Sequence, residues 1–600
     1  MTRPASRCLA ALALCALALS FDAAAQAPKV LRYAFPNAET SFDPTQVSDL
    51  YSRTITPHIF EALYTYDHLA RPIKVKPLTA AGMPEHSADF KTWTVRVRPG
   101  ITFADDPAFK GQPRELTAQD FVYALKRFAD PAKKAAGWAS VEQVKYLGLN
   151  ALRKKALDGK QPFDYEHEVE GLRALDRYTI QFKLEDSNPR FIFEMAASDL
   201  YGAIAREVVE FYGERIGDHP VGTGPFVLKQ WRRSSLIVLE RNPGYRERSY
   251  DAEPGNDDAE GQALLARFKG RRLPMVDRVE VSIIEESQPY WLSFLNRSTD
   301  FIERVPDEFI DVAMPGGKLA PHLARKGVQG YRRVASDVAT SYFNMEDPVV
   351  GGYTPPKVAL RRAMWLAIDL NREIGVARRS QAIAAQSPIA PDTSGYDPAF
   401  KSENSDFSLA RAKALLDMYG WVDRDGDGWR EQPDGAPLAL SMATQPALRF
   451  RQLNELWKKG WDALGVRVEF KPAKFPENLK AARAGKLQMW HVGALADVPD
   501  GQTMLARLYG PQAGNQNLAR FRNAELDAIY ERMRAMPDGA ERLALFDRVK
   551  RIAVAWAPYK YHAHRVFSDL AQPWLIGYRR PLFWQNWWEF VDIDPARQPH

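Results

Sequence analysis

The chain has 600 residues, of which 45% are hydrophobic and 26% are charged, with 81 Lys and Arg against 75 Asp and Glu. This is the composition of a globular protein with room for several domains, and it excludes bulk disorder and fibrous classes. The formal net charge of +6 is spread along the chain, so nothing indicates a nucleic-acid partner. Both cysteines, Cys8 and Cys15, lie near the N-terminus.

The first 25 residues have the pattern of an export signal peptide. Arg3 and Arg7 precede an apolar run over 9–19 that is too short to span a bilayer, and residues 23–25 are alanines suited to cleavage. A lipoprotein signal would be cleaved before Cys15, but Leu14 is bulky where that signal has a small residue. We therefore predict a periplasmic protein whose mature chain has no cysteine, and hence no disulfide and no thiolate chemistry.

The first third of the chain mixes strand and helix patterns. Residues 30–35 predict a strand, and residues 93–97 alternate apolar and polar side chains up to Pro99-Gly100. Residues 117–120 have the form of a capping box, so we expect a helix to begin there. Two further strand-like segments cover 176–184 and 235–240.

From about residue 438 the two periodicities alternate strictly. The alternating segments, strand first, are 438–443, 453–464, 466–470, 476–484 and 488–492. This βαβαβ order predicts an open α/β unit with a mainly parallel sheet. Two amphipathic helices are expected to follow, one after Asn523 and one around 545–556.

Motifs of common enzymes do not occur in the sequence. There is no G-x-S-x-G nucleophile elbow, no phosphate-binding G-x-x-x-x-G-K-[ST] loop and no H-E-x-x-H zinc motif. Paired carboxylates are abundant, but nothing marks one pair as that of a glycosidase. We therefore predict that the protein is not an enzyme. A secreted hydrolase, or an exported structural protein without a ligand, stays as an alternative.

Two patterns invite a metal interpretation. The stretch 423–434 begins D-x-D-x-D-G like a calcium loop, with Glu431 and Asp434 at loop positions 9 and 12. Position 12 usually carries Glu, however, and Pro433 lies inside the loop, so an acidic turn is the alternative. His562 and His564 lie on one side of a strand, but no third ligand is identifiable. We predict no metal site and no cofactor, and leave calcium at 423–434 open.

The position of Asp497 is the most informative feature. In open α/β sheets the ligand crevice lies beyond the carboxyl ends of the strands, and Asp497 follows the predicted strand 488–493. A partly desolvated carboxylate at a cleft between domains would bind a cation, for instance a ligand ammonium group. The alternative is a helix N-cap for the segment that begins near Asp500. Position alone does not decide between them.

Several segments together resemble family 5 of the extracytoplasmic solute-binding proteins of ABC importers, the oligopeptide- and dipeptide-binding proteins. These segments are 93–103, 116–121, 220–226, 240–245, 343–344, 358–363, 367–372, 423–429, 496–500, 515–517 and 558–578. Their order and spacing hold over nearly the whole mature chain. The combination is far more specific than any one of these motifs.

The resemblance implies an α/β clamshell of the type II-like periplasmic binding protein class, with two α/β lobes plus an inserted extra domain. The expected divisions are a signal peptide 1–25, a discontinuous domain I of 26–67 with 218–335 and 570–600, domain II of 68–217, and domain III of 336–569. The segments 132–170 and 246–272 are extra length without an assigned role, and we expect 246–272 to be a surface insertion or long loop.

The resemblance also implies a function. The protein would be the periplasmic substrate-binding component of an ABC importer, a monomer that captures a peptide between its lobes and delivers it to the inner-membrane permease complex. Other family members bind metal chelates, haem or other small solutes, which gives an alternative cargo on the same scaffold.

Candidate ligand contacts follow by matching positions. In the family, an Asp in an Asp-x-x-Asp/Glu-Pro turn holds the peptide ammonium group, and Asp497 matches it, although Gly501 replaces the usual Pro. Four more residues lie near matching cleft segments and are candidate ligand contacts: Trp490, His491, Tyr561 and His562.

Overall fold

The computed structural model describes residues 28–47, 49–583 and 586–599, so the predicted signal peptide and both cysteines lie outside the described residues. Within these ranges, no helix is long and apolar enough to cross a membrane.

The strands of the described chain are numbered in sequence order. They are β1 Val30–Phe35, β2 Tyr64–Tyr66, β3 Val75–Pro77, β4 Glu85–His86, β5 Thr92–Arg96, β6 Leu172–Ala174, β7 Thr179–Lys183, β8 Phe226–Arg232, β9 Leu236–Arg241, β10 Arg278–Ile283, β11 Phe301–Ile302, β12 Gln329–Val334, β13 Asp337–Phe343, β14 Ala382–Ala384, β15 Ala439–Thr444, β16 Arg467–Pro472, β17 Met489–Leu495, β18 Tyr559–Ala571, β19 Leu575–Ile576 and β20 Asp592–Ile593.

The α-helices are numbered in the same way. They are α1 Leu50–Ile55, α2 Ala118–Ala129, α3 Trp138–Val144, α4 Leu149–Gly159, α5 Phe191–Glu194, α6 Ser198–Tyr201, α7 Arg206–Tyr212, α8 Ala259–Phe268, α9 Ser287–Leu295, α10 Ile310–Ala313, α11 Pro321–Ala324, α12 Pro355–Leu366, α13 Leu370–Arg372, α14 Leu409–Met418, α15 Leu448–Asp462, α16 Phe475–Arg483, α17 Gln502–Leu505, α18 Ala524–Ala535 and α19 Ala540–Trp556.

Two four-stranded sheets and the two-stranded sheet β2-β3 lie in the first half of the described chain. The N-terminal lobe is built on a sheet of order β1-β10-β9-β8, in which β1 runs parallel to the distant β10. The inserted domain has its own antiparallel sheet of order β4-β5-β7-β6. The predicted strands β1, β5, β7 and β9 are confirmed, and so is the capping box, because the Thr117 amide donates to Asp120 Oδ2 at 2.8 Å.

The C-terminal lobe confirms the predicted βαβαβ unit, as β15, α15, β16, α16 and β17. Within it β15 runs parallel to both β16 and β17. The expectation of a mainly parallel sheet was wrong, however, because β13 pairs antiparallel with both β17 and β18. The sheet is mixed since β13 enters it from the other lobe and β18 leaves it towards that lobe, so neither strand belongs to the βαβαβ unit.

One strand, β18, belongs to both lobes. Its first half pairs with β13 and β14 of the C-terminal lobe, and its second half pairs with β12 and β11 of the N-terminal lobe. Where the partner changes, the Ala335 amide donates to the Arg565 carbonyl at 2.8 Å and the Arg565 amide donates to Asp337 Oδ1 at 2.9 Å. The connection between the lobes is therefore hydrogen-bonded backbone. The predicted domain boundaries near it stay predictions.

The extra segments are folded. The expectation that 246–272 is a long loop was wrong, because it contains α8 and buries Tyr250 and Phe268 against Leu69, whereas the alternative of a surface insertion stays a prediction. These aromatic side chains need a partner surface, and the N-terminal lobe provides it. The other segment, 132–170, forms α3 and α4 of the inserted domain.

An arginine ties the inserted domain to the C-terminal lobe. Arg190 lies 3.0 Å from Asp500 and donates to the carbonyl oxygens of Met533 and Met536 at 2.9 Å each. These carbonyls lie at the C-terminal end of α18, where a cation is favoured. Asp500 is 2% exposed and also binds Arg542 at 2.8 Å. This contact holds the inserted domain and the C-terminal lobe together across the space between them.

We predict that Arg190→Ala opens the ligand-free protein. The variant removes the ion pairs with Asp500 and Asp538 and three carbonyl contacts across the domain boundary, so the population of separated lobes should rise. Small-angle X-ray scattering would show a larger radius of gyration than in the wild type. Arg206→Ala, which removes a half-exposed arginine of the same domain, is the control and should leave the radius unchanged. Equal radii for both variants would contradict the prediction.

Candidate functional site

A cavity of about 730 Å³ separates the inserted domain from the C-terminal lobe. Its lining includes Arg53 from α1, Ser140, Gln143 and Glu194 from the inserted domain, and Leu495, Asp497 and Arg507 from the C-terminal lobe. This volume suits a ligand the size of a short peptide or cofactor.

Asp497 lies in the wall of this cavity, two residues beyond the end of β17. The side chain is deep between the lobes yet open to water in the cavity. Burial raises the pKa of the Asp497 carboxyl, and Asp199 adds to the rise, whereas Arg53 and Arg507 lower it. Within the described ranges the Asp497 carboxylate forms no hydrogen bond and no ion pair within 4 Å. It is therefore free to accept hydrogen bonds from a bound ligand.

The helix-cap alternative applies to Asp500 instead. Asp500 Oδ1 accepts a hydrogen bond from the Gln502 amide at 2.8 Å at the start of α17, and the Asp500 carboxylate is also paired with arginine.

The proline that the family has at position 501 is absent for a steric reason. The Gly501 amide donates to the Ser394 carbonyl at 3.2 Å, and a Cβ at position 501 would lie 2.3 Å from that oxygen. Asp497 is thus left free while the turn around it is fixed.

A second carboxyl, Glu194, faces the cavity from the inserted domain. Burial raises the pKa of Glu194 to about 7, and the charges of Asp497 and Asp199 add to the rise, while a hydrogen bond from Tyr201 opposes it. Glu194 therefore changes its charge close to neutral pH. No sequence pattern marks this residue, since it lies about 300 residues before Asp497 and belongs to no motif.

Three arginines, Arg53, Arg483 and Arg507, line the cavity, and the exposed Arg483 is not among the charges that act on Asp497 or Glu194. Arg53 pairs through Nε with the buried Asp199 carboxylate, so its charge is matched. Arg507 donates to the Gly493 carbonyl at 3.3 Å, which leaves most of its donors open. Burial lowers the pKa of Arg507, and its guanidinium nevertheless stays charged at physiological pH. The cavity thus offers an open cation as well as open carboxylates.

One edge of β17 is free beside the cavity. β15 pairs only with Met489 and Trp490, whereas β13 covers the opposite edge of β17 along its full length. Val492, Gly493 and Leu495 line the cavity. Among the described residues no strand pairs with this stretch from the β15 side, so its unpaired backbone groups are available to a guest chain, although the Gly493 carbonyl already accepts from Arg507.

The four further candidate contacts lie elsewhere. Trp490, His491, Tyr561 and His562 are all buried, and none belongs to the lining of the cavity. Phe475, whose ring centroid lies 5.5 Å from that of Trp490, lines it instead. Ligand contact by these four residues stays a prediction without support from the geometry.

His562 takes part in a buried network that resembles a hydrolase triad. Ser341 Oγ lies 2.8 Å from His562 Nε2, and His562 Nδ1 lies 2.9 Å from Glu373 Oε2. His562 and Glu373 are fully buried, and the void beside Ser341 measures only about 10 Å³. A substrate has no room there, so the network is a satisfied polar cluster of the core.

The acidic stretch 423–434 forms a tight turn. Oxygens of Asp423, Asp425, Asp427 and Glu431 lie within 4.8 Å of one another, and Asp434 is not part of this group. The amides of the turn itself use these oxygens, for example Gly426 N donating to Asp423 Oδ1 at 2.7 Å. These hydrogen bonds fit the acidic-turn alternative, and calcium binding at 423–434 stays an open prediction.

Similarity to known families agrees with this geometry. The family described as bacterial extracellular solute-binding proteins, family 5 Middle, matches residues 74–516. The chain belongs to this family. The predicted fold class is thereby confirmed, as a periplasmic binding protein of two α/β lobes with an inserted domain, and the family consists of solute-binding components of transport systems.

The relatives of this family-5 protein are named after different ligands. Di/tripeptide-binding protein 2 of Pseudomonas aeruginosa (strain UCBPP-PA14) is 24% identical over 586 residues, covering 96% of this chain and 97% of the relative. Heme-binding protein A of Haemophilus influenzae is 23% identical over 516 residues, covering 85% and 83%. The structure of DppA from Helicobacter pylori in complex with the peptide STSA has a TM-score of 0.67 at 19% identity and covers 94% of this chain and 98% of that chain. This likeness shows the fold alone.

We predict that Glu194→Gln removes a pH-dependent loss of stability. Between pH 4.5 and about 7 the folded protein keeps a proton on Glu194 that the unfolded chain releases, so wild-type stability falls as pH rises through this window. The variant should gain about 1–2 kcal/mol of unfolding free energy over the wild type at pH 8, and almost nothing at pH 4.5.

Thermal unfolding of both proteins at the two pH values measures this gain. Glu210→Gln, at a glutamate with a 60% exposed side chain in the same domain, is the matched control. A gain for Glu194→Gln that is equal at both pH values would contradict the assignment.

Proposed function

We propose that this protein is the periplasmic substrate-binding component of an ABC importer, and that it captures peptides between its lobes and delivers them to the inner-membrane permease unchanged. Binding of one guest by both walls of the cavity favours the closed form, so capture is a shift of the open–closed equilibrium. The closed shape is then what the permease would recognise.

The observation that carries the proposal is the unpaired Asp497 carboxylate beside the open Arg507 guanidinium in one cavity. A peptide is a zwitterion, so Asp497 fits its ammonium group, and Arg507 fits its carboxylate or a carbonyl oxygen. A cavity with one kind of open charge would fit a simple anion or cation instead.

The free edge of β17 supplies the second element of the proposal. An extended peptide can add there as a further strand, and Gly493 leaves the backbone uncovered, since a Cβ at this position would have only the Val338 oxygen within 4 Å, at 3.9 Å. Backbone hydrogen bonds of this kind do not depend on the side chains of the guest. Affinity across many peptide sequences would follow.

Cargo of the haem or metal-chelate kind is the alternative, and the name of the Haemophilus relative supports it. Iron in haem is commonly held by His, Cys, Met or Tyr. The described lining of the cavity holds no histidine but does include Met504, Tyr201 and Tyr530, so the preference for a peptide depends on the charged groups, an open carboxylate and an open guanidinium in one cavity. Peptide is therefore the better-supported cargo.

We predict that Asp497→Asn weakens binding of a tripeptide with a free N-terminus by about 1–3 kcal/mol, because a charge-assisted hydrogen bond is lost. Isothermal titration calorimetry measures this difference. N-acetylation of the same peptide should produce a similar loss in the wild type and little further loss in the variant. Asp158→Asn, at an exposed aspartate of α4, is the control. Unchanged affinity in the Asp497 variant would remove this residue from the site.

We predict that native mass spectrometry of the freshly purified protein shows bound masses in the range of short peptides. These masses should be released intact on denaturation, because a transport component does not transform its cargo. A single bound mass with the iron isotope pattern would favour the haem or chelate alternative. Cleavage of added peptides over hours would instead support a hydrolase.

A further inference from the structure

Two unmatched carboxyls meet in the cavity from opposite walls. Asp497 comes from the loop after β17, and Glu194 comes from α5 of the inserted domain. Asp497 acts on Glu194 as a like charge and contributes to the raised pKa of Glu194. Neither side chain forms an ion pair within 4 Å in the described part of the chain.

The arginines of the cavity offset the charge of Asp497 in part but do not act on Glu194. The Arg53 guanidinium is paired with Asp199, whose side chain is 1% exposed, so this pair is neutral overall. Arg507 acts on Asp497, but neither it nor Arg53 figures among the charges that act on Glu194. Glu194 therefore faces two other carboxylates and a cavity, and a cation from the guest is its missing partner.

We propose that the cavity has two cation subsites, Asp497 and Glu194, and that it selects peptides whose first residue is basic. This inference rests on the peptide function proposed above. The α-ammonium group of the guest would bind Asp497, while the Lys or Arg side chain of the same residue would bind Glu194. Both positive groups of such a residue lie at one end of the peptide, and the two carboxyls line one cavity close enough for the charge of Asp497 to act on Glu194.

The groups around Glu194 leave its carboxylate available to bind a cation of the ligand. The titratable groups that act on it are Asp497 on the C-terminal lobe and Asp199 and Tyr201 on α6, and Glu194 in turn acts on Tyr66 and Tyr146. Burial raises the pKa of each of these three tyrosines, so they are neutral at physiological pH. The neutral Ser140 and Gln143 of α3 line the same cavity. No basic side chain thus competes with the guest for Glu194 among the described groups that act on it.

The test compares two peptides that differ only in charge. Lys-Ala-Ala and norleucine-Ala-Ala have first residues of similar length and apolar surface, and calorimetry at pH 8 gives their affinity ratio. We expect Lys-Ala-Ala to bind about tenfold more tightly, the effect of one charge-assisted contact. Glu194→Gln should bring the ratio close to one, whereas Glu210→Gln should preserve it. A wild-type ratio near one, or a ratio that Glu194→Gln leaves intact, overturns the proposal.

A pH series and a diamine separate this proposal from the function on which it rests. The ratio should shrink from pH 8 to pH 6 in the wild type, because Glu194 takes up a proton, and it should stay flat in Glu194→Gln. 1,5-Diaminopentane should bind more tightly than pentylamine in the wild type only. If neither peptide binds while the diamine preference is present, the peptide function fails and the two cation subsites stand. If peptides bind but neither preference is present, the two subsites fail alone.

Discussion

The fold depends on one backbone ladder. The 13-residue strand β18 extends over about 40 Å and is hydrogen-bonded to strands of both lobes along almost its whole length. Sliding of one lobe past the other would break that ladder, so the permitted motion is a bend where the partner strand changes from β12 to β13. A register shift between Ala339 and Thr340 marks the adjoining irregularity. Bending there moves the walls of the cavity apart without disturbing either core.

Much of this architecture could be predicted from local patterns. The βαβαβ unit follows from periodicity, and Asp497 follows from the rule that ligands bind beyond the carboxyl ends of strands. Glu194 and Arg507 could not be found in this way, because only the tertiary fold brings their segments to Asp497. The burial of His491 and His562 could not be predicted for a related reason. Position along a strand does not tell which face is covered by a helix, and theirs is covered by α15, whose Trp457 packs against both rings.

In the loop after β17, one carboxylate stabilises the structure and another is left for ligand binding. Asp497 and Asp500 are three residues apart, yet Asp500 is held by two arginines and a helix amide, whereas Asp497 is left without a partner among the residues described. A buried carboxylate is costly unless it is paired, so the pairing of Asp500 explains how the loop keeps its shape. The free Asp497 retains part of that cost until a cation arrives. The close packing of Gly501 against Ser394 prevents the loop from relaxing to relieve it.

The placement of α3 has a consequence for how such receptors diversify. This helix contributes Ser140 and Gln143 to the cavity, yet it belongs to the inserted domain and takes no part in the β18 ladder. Changes in α3 or in the neighbouring α5 can therefore reshape what the receptor accepts without altering how it closes. Ligand selectivity and lobe closure depend on separate segments of the chain. New ligand preferences can therefore evolve through the inserted domain while the strands that connect the lobes stay unchanged.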